Sequence, residues 1–173
     1  MIEESVELIA STCCFTGHRP EKLHLPEAIV REQLSYAIDA AIREGHTRFL
    51  TGMSRGVDLW AAQEVIRRQK EYPQLRLVAC IPYQDFEKGW GLSWQRVYRQ
   101  VLEACEEIHI FSRAFSMESF SLRNRYMVEH AALVIAVFGG EKGGTANTVR
   151  YAKKCGRRIL VIGDDGQMRM RIE

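Results

Sequence analysis

Short apolar runs separated by helical repeats recur along the chain, and this alternation constrains the fold more than any other property of the sequence. Thr12 to Thr16, Arg48 to Thr51, Leu75 to Ile81, Ile108 to Phe111, Ala132 to Phe138 and Arg158 to Ile162 read as strands. Helical spacing fills the intervals. One helix starts at about Glu27, with Pro26 at its first turn, and carries Val30, Leu34, Ala37, Ile38, Ala41 and Ile42 on one face. Others run from Val57 to Lys70, from about Ser93, from Arg123 to His130 and from Thr145 to Lys154. Strands alternating with helices imply right-handed crossovers and a parallel sheet covered on both faces. The expected fold is therefore α/β: a Rossmann-like three-layer arrangement with a mostly parallel sheet. At 173 residues it is a single domain spanning 1–173, with a core at about 12–162 and a polar C-terminal tail from Asp164.

Ligands of such sheets bind beyond the carboxyl ends of the strands, where the strand order reverses. Three loops occupy those ends. After the first strand, Gly17 lets backbone come close to a ligand, and His18 and Arg19 offer donors suited to phosphate; a tight turn with a surface ion pair is the plainer alternative. After the second, Thr51, Gly52, Ser54, Arg55, Gly56 and Asp58 span a strand-to-helix junction whose N–H groups and dipole favour an anion. No Gly-Lys-Ser/Thr follows, so it is not a Walker loop, nor is it the dinucleotide Gly-x-Gly-x-x-Gly. Asp58 suits either a ribose hydroxyl or the first turn of a helix.

The third loop carries the strongest local signal. Gly139, Gly140, Gly143 and Gly144 fall within six residues, between the most apolar strand and a helix opening at Thr145. Their amides can form a nest that closes over a phosphate. Arg123, Asn124 and Arg125, at the start of a helix, add positive charge or lie on a solvated face. Lys153, Lys154, Arg157 and Arg158 cluster at a helix end, where cations complement the dipole without a ligand. Trp60, Trp90 and Trp94 read as core or loop anchors, with Trp90 and Trp94 near Tyr83 as a conceivable wall for a base.

A net charge of +2 is too small to argue for nucleic acid or a membrane surface, and no apolar run is long enough for a span. The five cysteines show no zinc-type spacing and read as reduced, buried thiols, so no metal is expected. The acidic stretch Met1–Ser5 lacks the marks of a signal peptide, and a cytoplasmic location is expected.

Phe15-Thr16-Gly17-His18-Arg19-Pro20, the Thr51-Gly52-x-x-x-Gly56-x-Asp58 loop, Arg123-Asn124-Arg125-Tyr126-Met127 and Gly143-Gly144-Thr145, in that order, resemble the YpsA/YoqJ-like group of the SLOG superfamily. The likeness runs from about Cys13 to Ile162. It implies a Rossmannoid fold shared with DprA and with the LOG phosphoribohydrolases, a nucleotide-derived ligand, and a homodimer as a family-level expectation. One departure is plain. LOG hydrolases carry Pro-Gly-Gly-x-Gly-Thr-x-x-Glu, whereas Gly144-Thr145 is followed here by Ala146, Asn147, Thr148 and Val149.

Three functions follow. The first is binding or sensing of a nucleotide, nucleotide-sugar or ADP-ribose-like molecule in the glycine-rich cradle. The second is a nucleotide N-glycosidic hydrolase that uses Glu141, Asp58 or Glu118 in place of the missing glutamate. The third is a DprA-like binder of single-stranded nucleic acid, which remains open as a partner. Neither the catalytic residues nor a cofactor can be assigned from the sequence.

Overall fold

A computed structural model of the protein describes residues 2–171. Helices and strands alternate as α1 (Ile2–Ala10), β1 (Thr12–Gly17), α2 (Glu27–Arg43), β2 (Arg48–Thr51), α3 (Val57–Arg68), β3 (Arg76–Ile81), α4 (Leu92–Ala104), β4 (Glu107–Ile110), α5 (Met117–Glu129), β5 (Leu133–Val137), α6 (Gly144–Lys154), β6 (Arg158–Ile162) and β7 (Met168–Arg171). The strands form one seven-stranded sheet in the order β4-β3-β2-β1-β5-β6-β7. Every neighbouring pair is parallel except β6 and β7. The α/β, mostly parallel, Rossmann-like arrangement expected from the alternation is the one found.

Successive strand residues point to opposite faces, and the core divides accordingly. Cys13, Phe15, Phe49, Leu133 and Ile135 face one layer, against Val30, Leu34 and Ile38 of α2, Leu59 and Val65 of α3, and Val101 of α4. Cys14, Leu50, Val78, Val134 and Ala136 face the other, against Met127 and Val128 of α5 and Val149 and Ala152 of α6. All five residues of β5 are buried, as a central strand covered on both faces requires.

Between α2 and α3, the buried Glu64 carboxylate is answered by Arg68, whose Nη1 donates at 3.0 Å while its Nε donates to Asp39 at 2.5 Å. A buried acid without such partners would be strongly destabilising.

The topology locates the crevice. From β1 the chain steps outward through β2, β3 and β4, then returns to place β5 on the other side of β1. The strand order reverses between β1 and β5, and the loops after both open at that point.

Three sequence expectations need correction. Arg123 does not start a helix: α5 begins at Met117, where the Ser116 hydroxyl caps it by accepting the Ser119 N–H at 3.0 Å. The stretch after Asp164 is not merely a tail, because Gly163–Gln167 turns the chain back and β7 pairs antiparallel with β6. Ile2–Ala10, to which no element was assigned, is helical. Elsewhere the boundaries move by a residue or two.

Candidate functional site

Close packing brings the first two loops together at the carboxyl edge of the sheet. A Cβ on Gly17 would lie 2.5–2.7 Å from the side chain of Val57, the first residue of α3. Gly56 takes φ +88°, and a Cβ there would meet Pro20 at 2.9 Å and the His18 carbonyl at 3.0 Å. His18 itself is half-buried, its ring 6.4 Å from that of Phe138 at the end of β5. Its Nε2 is buried and has no hydrogen-bond partner among the described residues, and burial lowers the ring's pKa. Arg19 is exposed, and Arg55 pairs with Glu21 at 2.8 Å.

The β2–α3 loop is organised from within by Asp58. Ser54 N–H donates to Asp58 Oδ2 at 3.2 Å, and Thr51 Oγ1 donates to the Asp58 carbonyl at 3.0 Å while accepting the Met53 N–H at 3.3 Å. Met53 is fully buried with φ +62°, an unusual conformation for a non-glycine residue. The Asp58 side chain thus points into the protein. Burial raises its pKa to about 6, against the opposing pull of Arg123.

Arg123 comes from α5 and is also buried. Its Nη1 donates to the Gly52 carbonyl, its Nε to Asn124 Oδ1 at 2.7 Å, and its guanidinium lies 5.5 Å from the Phe120 ring centroid. Burial lowers its pKa, Asp58 counteracts that, and Arg19 is close enough to lower it further. A Cβ on Gly52 would fall 2.5 Å from Arg123 Nη1 and 2.7 Å from Asp58 Oδ2, so a glycine is what this junction accommodates. Arg123 thereby ties α5 to the β2 loop, and with it fixes the position of the next two residues, Asn124 and Arg125.

Those two residues open into a groove of about 530 Å³ between α5 and α6. Met117, Phe120, Ser121, Asn124 and Arg125 line it from α5. Gly143 and Gly144 form its end, and Asn147, Thr148, Arg150, Tyr151 and Lys154 line it from α6. Arg125 lies over the Tyr151 ring at 5.5 Å, and Arg150 donates to Asn147 at 3.0 Å. None of these lining residues is acidic. The first-turn N–H groups of α6, the cations Arg125, Arg150 and Lys154, and the apolar side chains of Met117 and Phe120 thus line the same groove. Thr148 stands where the LOG pattern has its glutamate, and its hydroxyl donates to the Gly144 carbonyl at 2.9 Å.

Of the residues singled out in the sequence, Asn124, Arg125, Gly143 and Gly144 line this groove. Thr145 is buried behind them. Gly139 and Gly140 border a second cavity of about 360 Å³ that reaches Asp164 and Arg169. Gly17, Thr51, Gly52, Gly56 and Asp58 are engaged in the packing of loop on loop described above, while Ser54 and Arg55 are partly exposed at its surface. Trp94 packs on Trp60 and Trp90 on Phe86 and Tyr98, away from the groove. Arg157 donates to the Val128 and Glu129 carbonyls at the end of α5, and Arg158 pairs with Glu44, so both are structural.

Lys154 differs from them: it lines the groove together with Asn147, Arg150 and Tyr151, which the sequence reading had not picked out. Their spacing of three, four and seven residues on α6 is the signal that could have found them.

Comparison with known proteins agrees with this architecture. The SPbeta prophage-derived protein YoqJ of Bacillus subtilis strain 168 is 28% identical over 138 residues, covering 72% of this chain and 81% of YoqJ. A UPF0398 protein of Bacillus thuringiensis strain Al Hakam is 30% identical over 150 residues, covering 82% of each chain. Among solved structures, DNA processing protein A of Helicobacter pylori, described for its single-stranded DNA binding mode, superimposes with a TM-score of 0.61 at 17% identity. The match covers 91% of this chain and 67% of that one. DprA of Streptococcus pneumoniae gives a TM-score of 0.58 at 15% identity over 89% of this chain, which spans half of that protein's length. At such identities the likeness speaks for the fold. Residues 13–158 match the YpsA family, described as the YspA SLOG family, and the chain belongs to it.

Proposed function

We propose that the α5–α6 groove binds a phosphate-bearing, nucleotide-derived ligand: a nucleotide, a nucleotide-sugar or an ADP-ribose-like molecule. The observation that carries this reading is that Gly143 and Gly144 at the start of α6 and the cations Arg125, Arg150 and Lys154 line a single groove. Helix-start amides and the dipole favour an anion, and three cations with no acid among the lining residues reinforce them. The apolar side chains of Met117 and Phe120 suit a base or ribose face, and about 530 Å³ accommodates a molecule of that size.

The N-glycosidic hydrolase is less well supported. Asp58 is buried beneath the loop it organises, Glu118 is exposed in the first turn of α5, and Glu141 is exposed against His24. None of the three lines the groove. A second reading does draw on specific observations. Phe115 and Met117, 65% and 75% exposed, add apolar surface beside Phe120, and single-stranded nucleic acid binds to such pairings of aromatic and cationic groups. The Helicobacter neighbour's single-stranded DNA binding points the same way.

A thermal-shift screen against nucleotides, dinucleotides and ADP-ribose derivatives tests the proposal, with oligonucleotides as a second arm. Ligand at about a hundred times its dissociation constant adds roughly 2.7 kcal/mol of stability. For a chain of this size that raises Tm by about 5–10 °C. Gly144→Leu is the control: a Cβ at Gly144 meets nothing within 4 Å, so the variant folds with its groove blocked. A shift with small nucleotides that Gly144→Leu abolishes supports the proposal. Binding confined to oligonucleotides and falling steeply with salt favours the second reading. No response in either arm, or an undiminished response in Gly144→Leu, refutes the groove.

A further inference from the structure

His24, Glu141 and Asp164 come from three separate stretches of chain: the segment between β1 and α2, the β5–α6 loop and the β6–β7 turn. One imidazole nitrogen and two carboxylate oxygens from these residues all lie within 4.8 Å of one another. His24 Nε2 and Glu141 Oε1 are already hydrogen-bonded. We propose that the three side chains form a site for a divalent metal ion of the zinc or manganese class, which ties the β5–α6 loop to the segment after β1.

The donor set fits that class. Imidazole favours zinc over calcium or magnesium, and carboxylates with water are the usual companions of both zinc and manganese. Backbone features seat two of the ligands. The Asp164 carboxylate packs so closely on Gly139 that a Cβ there would collide with it. Gly140, at φ +97°, then turns the chain so that Glu141 reaches His24.

His18 adds an independent sign. Its Nε2 is buried and unpartnered among the described residues, and the charges of Glu141 and Asp164 both act on its ring. A buried imidazole nitrogen without a partner calls for an explanation. Supporting a metal-ligating carboxylate once the ion is bound supplies one. The cavity of about 360 Å³ beside Asp164 leaves room for water or a ligand oxygen to complete the coordination shell.

None of the three residues lines the α5–α6 groove, so the proposal is independent of the nucleotide reading and can be tested without nucleotide. The experiment is a titration of tag-free, full-length protein with Mn²⁺, followed by the loss of the free-ion electron paramagnetic resonance signal. Manganese is a hard ion and avoids the thiols of the chain. One Mn²⁺ should bind per chain, with affinity at least roughly tenfold weaker in Asp164→Asn, Glu141→Gln and His24→Ala. All three residues are exposed, so the variants should melt like the parent in chelator. Zn²⁺ should displace Mn²⁺ from the parent protein. Failure to bind Mn²⁺ stoichiometrically would overturn the site, and so would an unchanged affinity in the three variants, which would mark the binding as adventitious. Neither result bears on a nucleotide-induced shift measured in chelator.

Discussion

Asp58 gives the sharpest test of the way the site is held together. Its carboxylate is buried, accepts the Ser54 N–H and has Arg123 as its nearby opposite charge. If Asp58 and Arg123 were a well-balanced buried pair, Asp58→Asn would leave the arginine uncompensated and cost about 3–5 kcal/mol. The balance in this loop points the other way. Burial outweighs the attraction of Arg123, and the Asp58 pKa rises from 3.8 to about 6. That rise corresponds to about 3 kcal/mol of disfavour for the charged form in the folded protein.

The sign follows from linkage. Below about pH 4 the carboxyl is protonated in both folded and unfolded chains, and the shift has no effect. Between about pH 4 and 6 the folded chain holds the proton more tightly, so stability declines as pH rises; above 6 the full penalty applies. Asparagine stands in for the protonated acid: it keeps the acceptor for Ser54 and lacks the charge, and the stronger bond that the ionised form makes to Ser54 is already contained in the net shift. Asp58→Asn should therefore be more stable than the parent by about 3 kcal/mol at pH 7.5, or roughly 6–12 °C in Tm, with the gain vanishing below about pH 4. Urea denaturation of both proteins across this range measures the difference directly, since every other titrating group is common to the two. A difference that does not change with pH, or an Asp58→Asn variant less stable than the parent at pH 7.5, would refute the reasoning.

Three further outcomes follow from the packing and the groove. Gly17→Ala should lower stability by about 1–3 kcal/mol, because Val57 is β-branched and starts a helix, leaving its side chain little freedom to move from the added methyl; an unchanged urea midpoint would contradict this. Arg125→Ala combined with Lys154→Ala should weaken the phosphate ligand by at least roughly tenfold, since each charge-assisted contact is worth about 1.5–3 kcal/mol. The unliganded Tm should stay close to the parent's, and equal affinity in the double variant would remove these cations from the site. Cys13, Cys14 and Cys80 are buried and their thiols are pushed up by that burial, so a thiol reagent should leave them intact in the native protein and modify all five cysteines only in guanidinium. Rapid native modification of more than two thiols would refute this assignment.

The fold was legible where the sequence pattern is set by burial. β5 and the glycines after it could be read directly, because a strand covered on both faces must be apolar throughout and a backbone turning into a helix must bend sharply. β7 was not, since Met168–Arg171 is an edge strand in which methionine alternates with arginine, and Met168, Arg169 and Met170 are exposed, so the pattern has little burial behind it. The first turns of α5 escaped for a similar reason. Ser116 and Ser119 announce a cap, but Met117, Glu118 and Leu122 are exposed and leave no apolar stripe to follow.

The candidate site shows the same division in finer grain. Asn124, Arg125, Gly143 and Gly144 could be named as site candidates from residue type, yet nothing local reveals that two helices bring them into one groove. That meeting rests on Met127 and Val128 of α5 packing with Val149 and Ala152 of α6, and the bond from Arg123 to the Gly52 carbonyl, between residues 71 apart in sequence, anchors α5. An arginine read along the chain is a surface cation by default; here its neighbours in the fold turn it into the pin that positions a surface cation, Arg125. The same long-range logic separates Asp58 from a ribose contact. A carboxylate in the first turn of a helix looks available until the loop before it closes over the side chain, as the Ser54 N–H does here. Residue type thus indicates which chemistry a segment carries, and packing between distant segments decides which of those groups face a ligand and which hold the others in place.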